Sequence, residues 1–258
     1  MTDSSIDVPH PRGREATLTT DAARRLRYPL VRQVDHTLRL PDPSLSVPAG
    51  YLRPPHPVYR LIGKRGLDIV LGILMAPFAI LLILVAGAAL WIEGGNPFYH
   101  QDRLGRGGAR FKLFKLRTMV RDADTMLEQC LASDPAMRAE WDATQKLKND
   151  PRITTVGAFL RATSLDELPQ LWNVFKGDMS LIGPRPMMPE QLIMYGDARH
   201  YFALRPGITG AWQVSKRNED LFTERAVIDQ DYDLKLSLGQ DLKILWRTVG
   251  VVLRRTGY

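Results

Sequence analysis

Cysteine is almost absent from this chain, and no hydrophobic run occurs near its start. Cys130 is the single cysteine among 258 residues, so no disulfide can form within the chain. Such usage is typical of a reducing compartment, which predicts a cytoplasmic location for the soluble part. The first twenty residues are polar and lack an apolar core, so we expect no cleavable secretory signal. No internal repeat of useful length is present, which argues against a repeat architecture.

The established glycine-rich phosphate loops are also missing. Neither G-x-x-x-x-G-K-[ST] nor G-x-G-x-x-G before a helix occurs, and residues 105–108 resemble such a loop only loosely. Those glycines are better explained as the turn of a β-hairpin between residues 98–101 and 111–117. On the second strand Lys115 and Arg117 share a face, so both cations either receive a phosphate or form a solvated basic edge.

The charge of the chain is unbalanced toward the positive side. Its formal net charge is +7 and its isoelectric point is about 9.6. This excess predicts an anionic partner, which is a nucleic acid, an anionic membrane surface or a phosphorylated substrate. Nine of the 18 prolines lie within residues 1–60, so we predict a disordered or extended tail there. Residues 61–258 are then one folded domain with a membrane element.

One long apolar run crosses residues 69–92. Its 24 uncharged residues would extend about 36 Å as a helix, against a hydrocarbon core of roughly 30 Å. Pro77 should break the helix by removing a backbone hydrogen bond. Four basic residues flank each end, so the positive-inside rule favours neither orientation. The run therefore predicts either a re-entrant helix that turns back near Ala76 and Pro77 or a straight single-pass anchor.

Two adjacent carboxylates begin the most informative motif. Ser164 and Glu167 have the spacing of a capping box, in which Ser164 caps a helix and Glu167 reaches back to its amide. The same geometry suits phosphate chemistry, because a carboxylate such as Asp166 at a helix start can serve as a nucleophile or a metal ligand. Arg185 follows in a proline-braced turn. A carboxylate pair beside a fixed cation is what phosphate chemistry with a divalent metal needs.

The C-terminal third predicts further helices. Arg205 lies in a second turn-forming segment, and helical patterns cover residues 221–236 and 241–254. The last pattern is a basic amphipathic helix. It either lies in a membrane interface or packs on the domain's own core. The fold class is therefore α+β and mainly helical, with a Pro-broken membrane helix, a β-hairpin and amphipathic helices.

Six motifs in order carry a family resemblance. They are Lys64-Arg65-x-x-Asp68 before the apolar run, FKLRTM at 114–119, SLDELPQ at 164–170, GDMS at 177–180, GPRP at 183–186 and RPGITG at 205–210. From about residue 60 to 258 the chain resembles the bacterial sugar transferases, the monotopic polyprenyl-phosphate phosphoglycosyl transferases that start exopolysaccharide, capsule and glycoprotein glycan synthesis. It is most similar to the short exopolysaccharide-initiating galactose or glucose phosphotransferases.

The resemblance implies a mechanism and partners. Glu167 would hold Mg²⁺ with a UDP-sugar, and Asp166 would attack the sugar-bearing phosphorus, release UMP and form a phosphosugar-aspartyl intermediate. Undecaprenyl phosphate would then accept the sugar phosphate. Cationic side chains would bind the phosphates, and the candidates are Lys115, Arg117, Arg161, Arg185 and Arg205. The resemblance also implies a bacterial inner-membrane location with the domain at the cytoplasmic leaflet, and other polysaccharide-assembly enzymes as candidate partners.

One departure and two rival functions remain. Many family members place Ser before the helix-breaking proline, where its hydroxyl can satisfy a freed carbonyl, but this chain has Ala76. That difference keeps the straight, crossing helix open. A membrane-tethered nucleic-acid-binding protein would need basic residues clustered with stacking aromatics and no carboxylate pair, so we predict no nucleic-acid partner. A non-catalytic scaffold of polysaccharide assembly is the other alternative.

Overall fold

The computed structural model describes residues 56–144, 147–215 and 224–253. Most of the predicted tail, residues 1–55, lies outside the described residues. Helices dominate the described part, with two small sheets, so the predicted α+β, mainly helical class is confirmed. The elements are α1 (Lys64–Gly94), β1 (Phe98–Leu104), β2 (Arg110–Leu116), α2 (Ala123–Ser133), α3 (Pro135–Thr144), α4 (Thr155–Thr163), α5 (Gln170–Lys176), β3 (Ser180–Ile182), α6 (Leu192–Tyr195), α7 (Arg199–Ala203), β4 (Gly207–Thr209), α8 (Ala211–Val214), α9 (Glu224–Leu234) and α10 (Leu238–Leu253).

The predicted boundary between tail and domain at residue 60 is too late. A π-helical turn, Tyr59–Gly63, leads directly into α1. The Tyr59 hydroxyl donates to Asp241 Oδ2 at 2.6 Å, and Arg60 forms an ion pair with Asp233. These two contacts reach α9 and α10, far along the chain, so the turn belongs to the folded domain.

Three polar side chains attach the start of α1 to the domain. Lys64 Nζ donates to Asp241 Oδ2 at 2.8 Å, and Arg65 donates to the backbone carbonyls of Val174 and Phe175 at the end of α5. Asp68 is buried and accepts from Ser180 Oγ and the Leu181 amide, both at 2.9 Å. The Lys-Arg-x-x-Asp motif is therefore an anchor that connects one helix to three other elements.

The far end of α1 packs on the same domain. Leu90 is fully buried in an apolar cluster with Leu116 of β2 and Leu160 of α4. Midway along the helix, Ala79 belongs to the main core, to which β2 also contributes Leu113. The domain therefore contacts α1 near its start, at its middle and near its end.

The opposite side of α1 is apolar and exposed. The helix is continuous for 31 residues with Pro77 inside it, so it would be about 46 Å long if straight. The helical stretch Tyr59–Gly94, which includes α1, is by length and composition long and apolar enough to cross a membrane, and its most apolar 18-residue window has a mean hydropathy of 3.0. The large apolar side chains on the uncovered side include Ile73, Leu74, Phe78, Leu81, Leu84, Val85, Trp91 and Ile92. The helical prediction is thus confirmed, whereas the predicted break at Pro77 is wrong: the helix continues through the proline, which removes only one of its backbone hydrogen bonds.

The predicted β-hairpin is present. Strands β1 and β2 pair in antiparallel register, from Phe98 opposite Leu116 to Leu104 opposite Arg110. Gly107 occupies the turn with a φ of 67°, a backbone conformation that glycine adopts without strain. The glycines at this place therefore serve the hairpin turn, as the sequence indicates.

Close backbone approach explains the glycines of the second sheet. Strands β3 and β4 run parallel, with Ser180 opposite Gly207 and Ile182 opposite Thr209. A Cβ at Gly207 would lie 2.1 Å from the Gly183 nitrogen, and one at Gly210 would lie 1.9 Å from the Gly183 oxygen. Any side chain at these positions would push the strands apart, and with them the turn that carries Arg185.

The predicted packing of the C-terminal helix α10 on the domain's own core is confirmed along one side. Asp241 and Ile244 are buried against the domain, and Leu245 packs on the main core. Leu242, Trp246, Val249 and Leu253 stay exposed along another side, and Trp246 is 79% accessible. The helix therefore packs on the core and still presents an apolar stripe.

Candidate active site

The two adjacent carboxylates lie in a single 3₁₀ turn, Leu165–Glu167, between α4 and α5. Ser164 has a φ of 57° and terminates α4, with its amide donating to the Arg161 carbonyl at 3.1 Å. It makes no capping bond with its side chain, so the predicted capping box is wrong. An N-cap needs an extended backbone, and the end of α4 has already fixed Ser164 in the left-handed region.

A buried amide places this turn against the hairpin. Asn173 of α5 is fully buried, accepts from the Phe114 amide at 3.1 Å and donates to the Lys112 carbonyl at 2.8 Å. Its side chain thereby satisfies two backbone groups at the edge of β2. Lys115 follows directly on that strand and is held beside the carboxylates.

Three of the predicted site residues form a charge cluster with Lys115. Lys115 Nζ lies 3.0 Å from Glu167 Oε1 and 3.9 Å from Asp166 Oδ2, and Arg185 Nη1 lies 4.0 Å from Glu167 Oε1. Lys115, Glu167 and Arg185 are partly exposed, so their ion pairs are screened and stabilise the fold only modestly. The arrangement instead supplies two anionic and two cationic groups within reach of one ligand.

Asp166 is the most enclosed member of this cluster. It is only 8% exposed, and burial raises the pKa of its carboxyl above the ordinary aspartate value. The charges of Lys115, Arg161 and Arg185 lower that pKa, while Glu167 raises it further. An oxygen that is poorly hydrated and surrounded by cations suits a nucleophile, because little water has to be removed before it attacks.

Arg161 and Arg185 approach the carboxylates from different elements. Arg161 Nε donates to Thr118 Oγ1 at 2.8 Å, and burial lowers the pKa of its guanidinium. Arg185 lies 6.0 Å above the Trp212 ring, which also carries Arg225 at 4.1 Å on its π system. The Trp212 ring is thus within cation–π range of Arg185, so an aromatic side chain accompanies the predicted pair of prolines at this turn.

The structure does not bring the other two predicted cations to this cluster. Strand β2 ends at Leu116, and Arg117 donates to the Leu90 carbonyl of α1 at 3.0 Å. Arg205 Nε donates to the Gly177 carbonyl at 2.9 Å, at the end of α5. The predicted in-line pair of Lys115 and Arg117 is therefore wrong, because the strand stops before the second cation. Both arginines bind backbone carbonyls of helices.

Sequence reasoning missed Arg103. This side chain lines a cleft together with Lys115, Glu167, Gln170, Arg185 and Gly207. Its Nη1 donates to the Pro186 carbonyl at 3.1 Å. The hairpin register could have revealed it, because Arg103 opposes Phe111, and Phe111 shares a strand face with Lys115.

The two carboxylates of this turn fit a metal ion that takes its remaining ligands from the bound substrate and water. No group of three or more His, Cys, Asp or Glu side chains suited to a metal occurs within residues 56–144, 147–215 and 224–253. The turn offers only the carboxylates of Asp166 and Glu167. Mg²⁺ is bound in this way in many phosphate-transfer sites, by one or two carboxylates together with substrate phosphates and water.

Comparison with known proteins gives one consistent result. The sequence profile described as "Bacterial sugar transferase" matches residues 59–255. The chain is 48% identical over 199 residues to a UDP-galactose-lipid carrier transferase of Erwinia amylovora and 47% identical over 195 residues to an undecaprenyl-phosphate galactose phosphotransferase of Salmonella typhimurium; each match covers 75% of this chain and 41% of the relative. It is 42% identical over 200 residues to the exopolysaccharide production protein ExoY of Sinorhizobium fredii, covering 76% of this chain and 88% of that protein. The chain thus spans less than half the length of the first two relatives and most of the third.

Proposed function

The chain belongs to the bacterial sugar transferase family, and from that premise we propose that it transfers a sugar 1-phosphate from a UDP-sugar to undecaprenyl phosphate. The sugar is galactose or glucose, as in relatives named for these activities, and the product is the first lipid-linked unit of an exopolysaccharide. The observation that carries the proposal is the enclosed Asp166 beside Glu167, with Lys115 within 4 Å of both carboxylates.

In the first step Asp166 acts as the nucleophile. A carboxylate oxygen of Asp166 forms a bond to the sugar-bearing phosphorus, and the bond from that phosphorus to the bridging oxygen breaks. The electron pair stays on that oxygen, so UMP leaves and a phosphosugar-aspartyl group remains. Lys115 and Arg185 neutralise phosphate oxygens as the anions approach each other, which lowers the cost of the encounter.

In the second step the lipid phosphate takes the place of the nucleotide. An oxygen of undecaprenyl phosphate bonds to the same phosphorus, the bond to Asp166 breaks and the carboxylate is regenerated. Glu167 would hold Mg²⁺ near the donor phosphates. When bound, this ion would supply additional positive charge for the phosphate oxygens. Two steps at one carboxylate allow the site to receive one substrate from water and the other from lipid.

The contacts of α1 support a monotopic attachment. Asp68 near its start contacts β3, and Leu90 near its end contacts β2 and α4. A helix that crossed a bilayer would have its ends about 30 Å apart on opposite sides of the hydrocarbon, and one polar domain could not contact both. We propose that α1 enters one leaflet, with the exposed side that includes Phe78 facing lipid and the domain at the cytoplasmic surface.

A transfer assay tests the proposed activity. Purified full-length protein is incubated with Mg²⁺, a panel of UDP-sugars and undecaprenyl phosphate, and UMP is measured. We expect UMP with UDP-galactose or UDP-glucose, its loss on addition of EDTA and its return with excess Mg²⁺. Without undecaprenyl phosphate, about one UMP per protein molecule should appear, as a covalent first step requires. Absence of UMP with every sugar would favour the non-catalytic scaffold.

Site-directed labelling tests the attachment. Cys130 is replaced by serine, and single cysteines are introduced at His56 before α1 and at the exposed Arg106 in the hairpin turn. A membrane-impermeant maleimide is then applied to right-side-out and inside-out vesicles. Both positions should react only from the cytoplasmic side. Labelling from opposite sides would mean that α1 crosses the bilayer and would overturn the monotopic arrangement.

A further inference from the structure

We propose that Arg103 is a second phosphate-binding arginine and that, with Arg185, it binds the phosphate that leaves with the nucleoside. This inference rests on the proposed function and adds a residue and a role to it. It concerns the first of the two chemical steps only.

Position is the first argument. Arg103 and Lys115 lie on neighbouring strands of the hairpin and line one cleft with Glu167 and Arg185. The hydrogen bond from Arg103 Nη1 to the Pro186 carbonyl connects it to the residue that follows Arg185. Two guanidinium groups from separate elements therefore reach the same end of the cleft.

The missing countercharge is the second argument. The recorded acceptors of Arg103 are neutral: the Pro186 carbonyl and, at 2.6 Å, the Gln101 side-chain oxygen. Its Nε is buried and donates to no atom in the described part of the chain. Arg103 forms no ion pair among the described residues, although the charge of Glu167 acts on it from a greater distance. A partly buried cation without a paired anion marks a place where an anionic ligand would be stabilised.

Repulsion between neighbouring arginines is the third argument. Burial and then the charge of Arg185 lower the pKa of Arg103 to about 10. Burial and the charge of Arg185 likewise lower the pKa of Arg225 to about 10. Guanidinium groups keep their charge at neutral pH despite such shifts, so Arg103 and Arg185 place two positive charges in the cleft, opposed by the charge of Glu167. A phosphate between the side chains would turn the repulsion into attraction.

The ion pairs indicate which phosphate that is. Lys115 lies within 4 Å of both Asp166 and Glu167, Arg185 lies 4.0 Å from Glu167, and Arg103 donates to the carbonyl of Pro186, the residue after Arg185. In phosphoryl transfer the attacking and leaving oxygens lie roughly in line on opposite sides of the phosphorus. If Asp166 attacks from one end, the leaving oxygen points toward the arginines. Arg103 then neutralises charge that grows on the nucleoside monophosphate as its bond breaks.

Separating the two half-reactions tests this role. Release of UMP in the first turnover is measured without lipid acceptor, and discharge of the preformed intermediate to undecaprenyl phosphate is measured after the nucleotide is removed. Arg103→Gln should slow the first by about 100-fold and leave the second within about twofold. Arg103→Lys should recover part of the loss because it keeps the charge. Arg106→Gln, an exposed arginine in the same hairpin, should change neither rate.

Binding measurements complete the test. Arg103→Gln should weaken binding of UMP by at least about tenfold and leave binding of uridine, which has no phosphate, unchanged. If both half-reactions slow equally, Arg103 only supports the turn at Pro186 and the inference is wrong. Unchanged UMP affinity would also overturn it while leaving the proposed function intact. If the wild-type protein releases no UMP from any UDP-sugar, the proposed function fails, and the UMP and uridine measurements alone decide whether Arg103 binds phosphate.

Discussion

Replacing Asp166 with asparagine is expected to abolish sugar-phosphate transfer, with a loss of at least about 10⁴-fold. The amide has nearly the size of the carboxylate but cannot form a stable bond to phosphorus. Wild-type protein incubated with radiolabelled UDP-sugar and then denatured should retain the label covalently, and Asp166→Asn should retain none. Glu167→Gln is the matched comparison on the next residue. It should still become labelled, more slowly, because it keeps the nucleophile. Covalent label on Asp166→Asn would contradict the assignment.

A stability measurement shows whether the inactive variant is folded. Burial raises the pKa of Asp166, so the folded state binds its proton more tightly than the unfolded state does. The stability that this difference confers is present below the ordinary aspartate pKa of about 4 and is lost as the pH rises through the folded pKa. The amide of Asp166→Asn does not ionise, so this variant does not lose that stability as the pH rises. It should therefore unfold at a higher temperature than wild type at pH 7.5, and the difference should shrink as the pH falls toward 4. A lower unfolding temperature at pH 7.5 would mean that asparagine disturbs the site by other means.

Local patterns predicted the features that depend on nearby residues. The apolar run predicted the helix α1, and the glycines at residues 105–108 predicted the hairpin turn. In each case the signal and the structure lie within a few residues of each other.

Arginine partners could not be predicted in the same way. Arg117 binds a carbonyl 27 residues away and Arg205 one 28 residues away. A guanidinium satisfies a carbonyl and a phosphate through the same donors, so sequence spacing does not distinguish a cation that caps a helix from one that binds substrate. The capping box at Ser164 was predicted wrongly for a related reason. Ser164 lies between two helical segments, and the end of α4 sets its backbone conformation.

Lys64→Met is expected to produce the largest loss of stability among the variants considered, about 3 to 5 kcal/mol. Lys64 Nζ donates to Asp241 Oδ2 at 2.8 Å and to the Tyr232 hydroxyl at 3.0 Å, and Asp241 is fully buried. Removing the lysine would leave that carboxylate with the hydroxyls of Tyr59 and Tyr232, each at 2.6 Å, and no opposite charge. Unfolding by denaturant in detergent micelles measures the difference. Arg138→Met is the control, because the exposed pair of Arg138 and Asp142 at 3.9 Å should contribute less than about 1 kcal/mol.

A second substitution distinguishes an unpaired charge from lost packing. If the cost of Lys64→Met comes from the charge left on Asp241, adding Asp241→Asn should recover part of the stability, because a neutral amide is cheaper to bury than a carboxylate. If the double variant is less stable than Lys64→Met alone, the cost lies in packing instead. The result also bears on the exposed apolar side of α1. Lys64 and Asp241 connect α1 to α10, the helix with the exposed Trp246 stripe, so this pair fixes two apolar surfaces relative to each other. Loss of the pair should therefore weaken binding to lipid vesicles as well as folding.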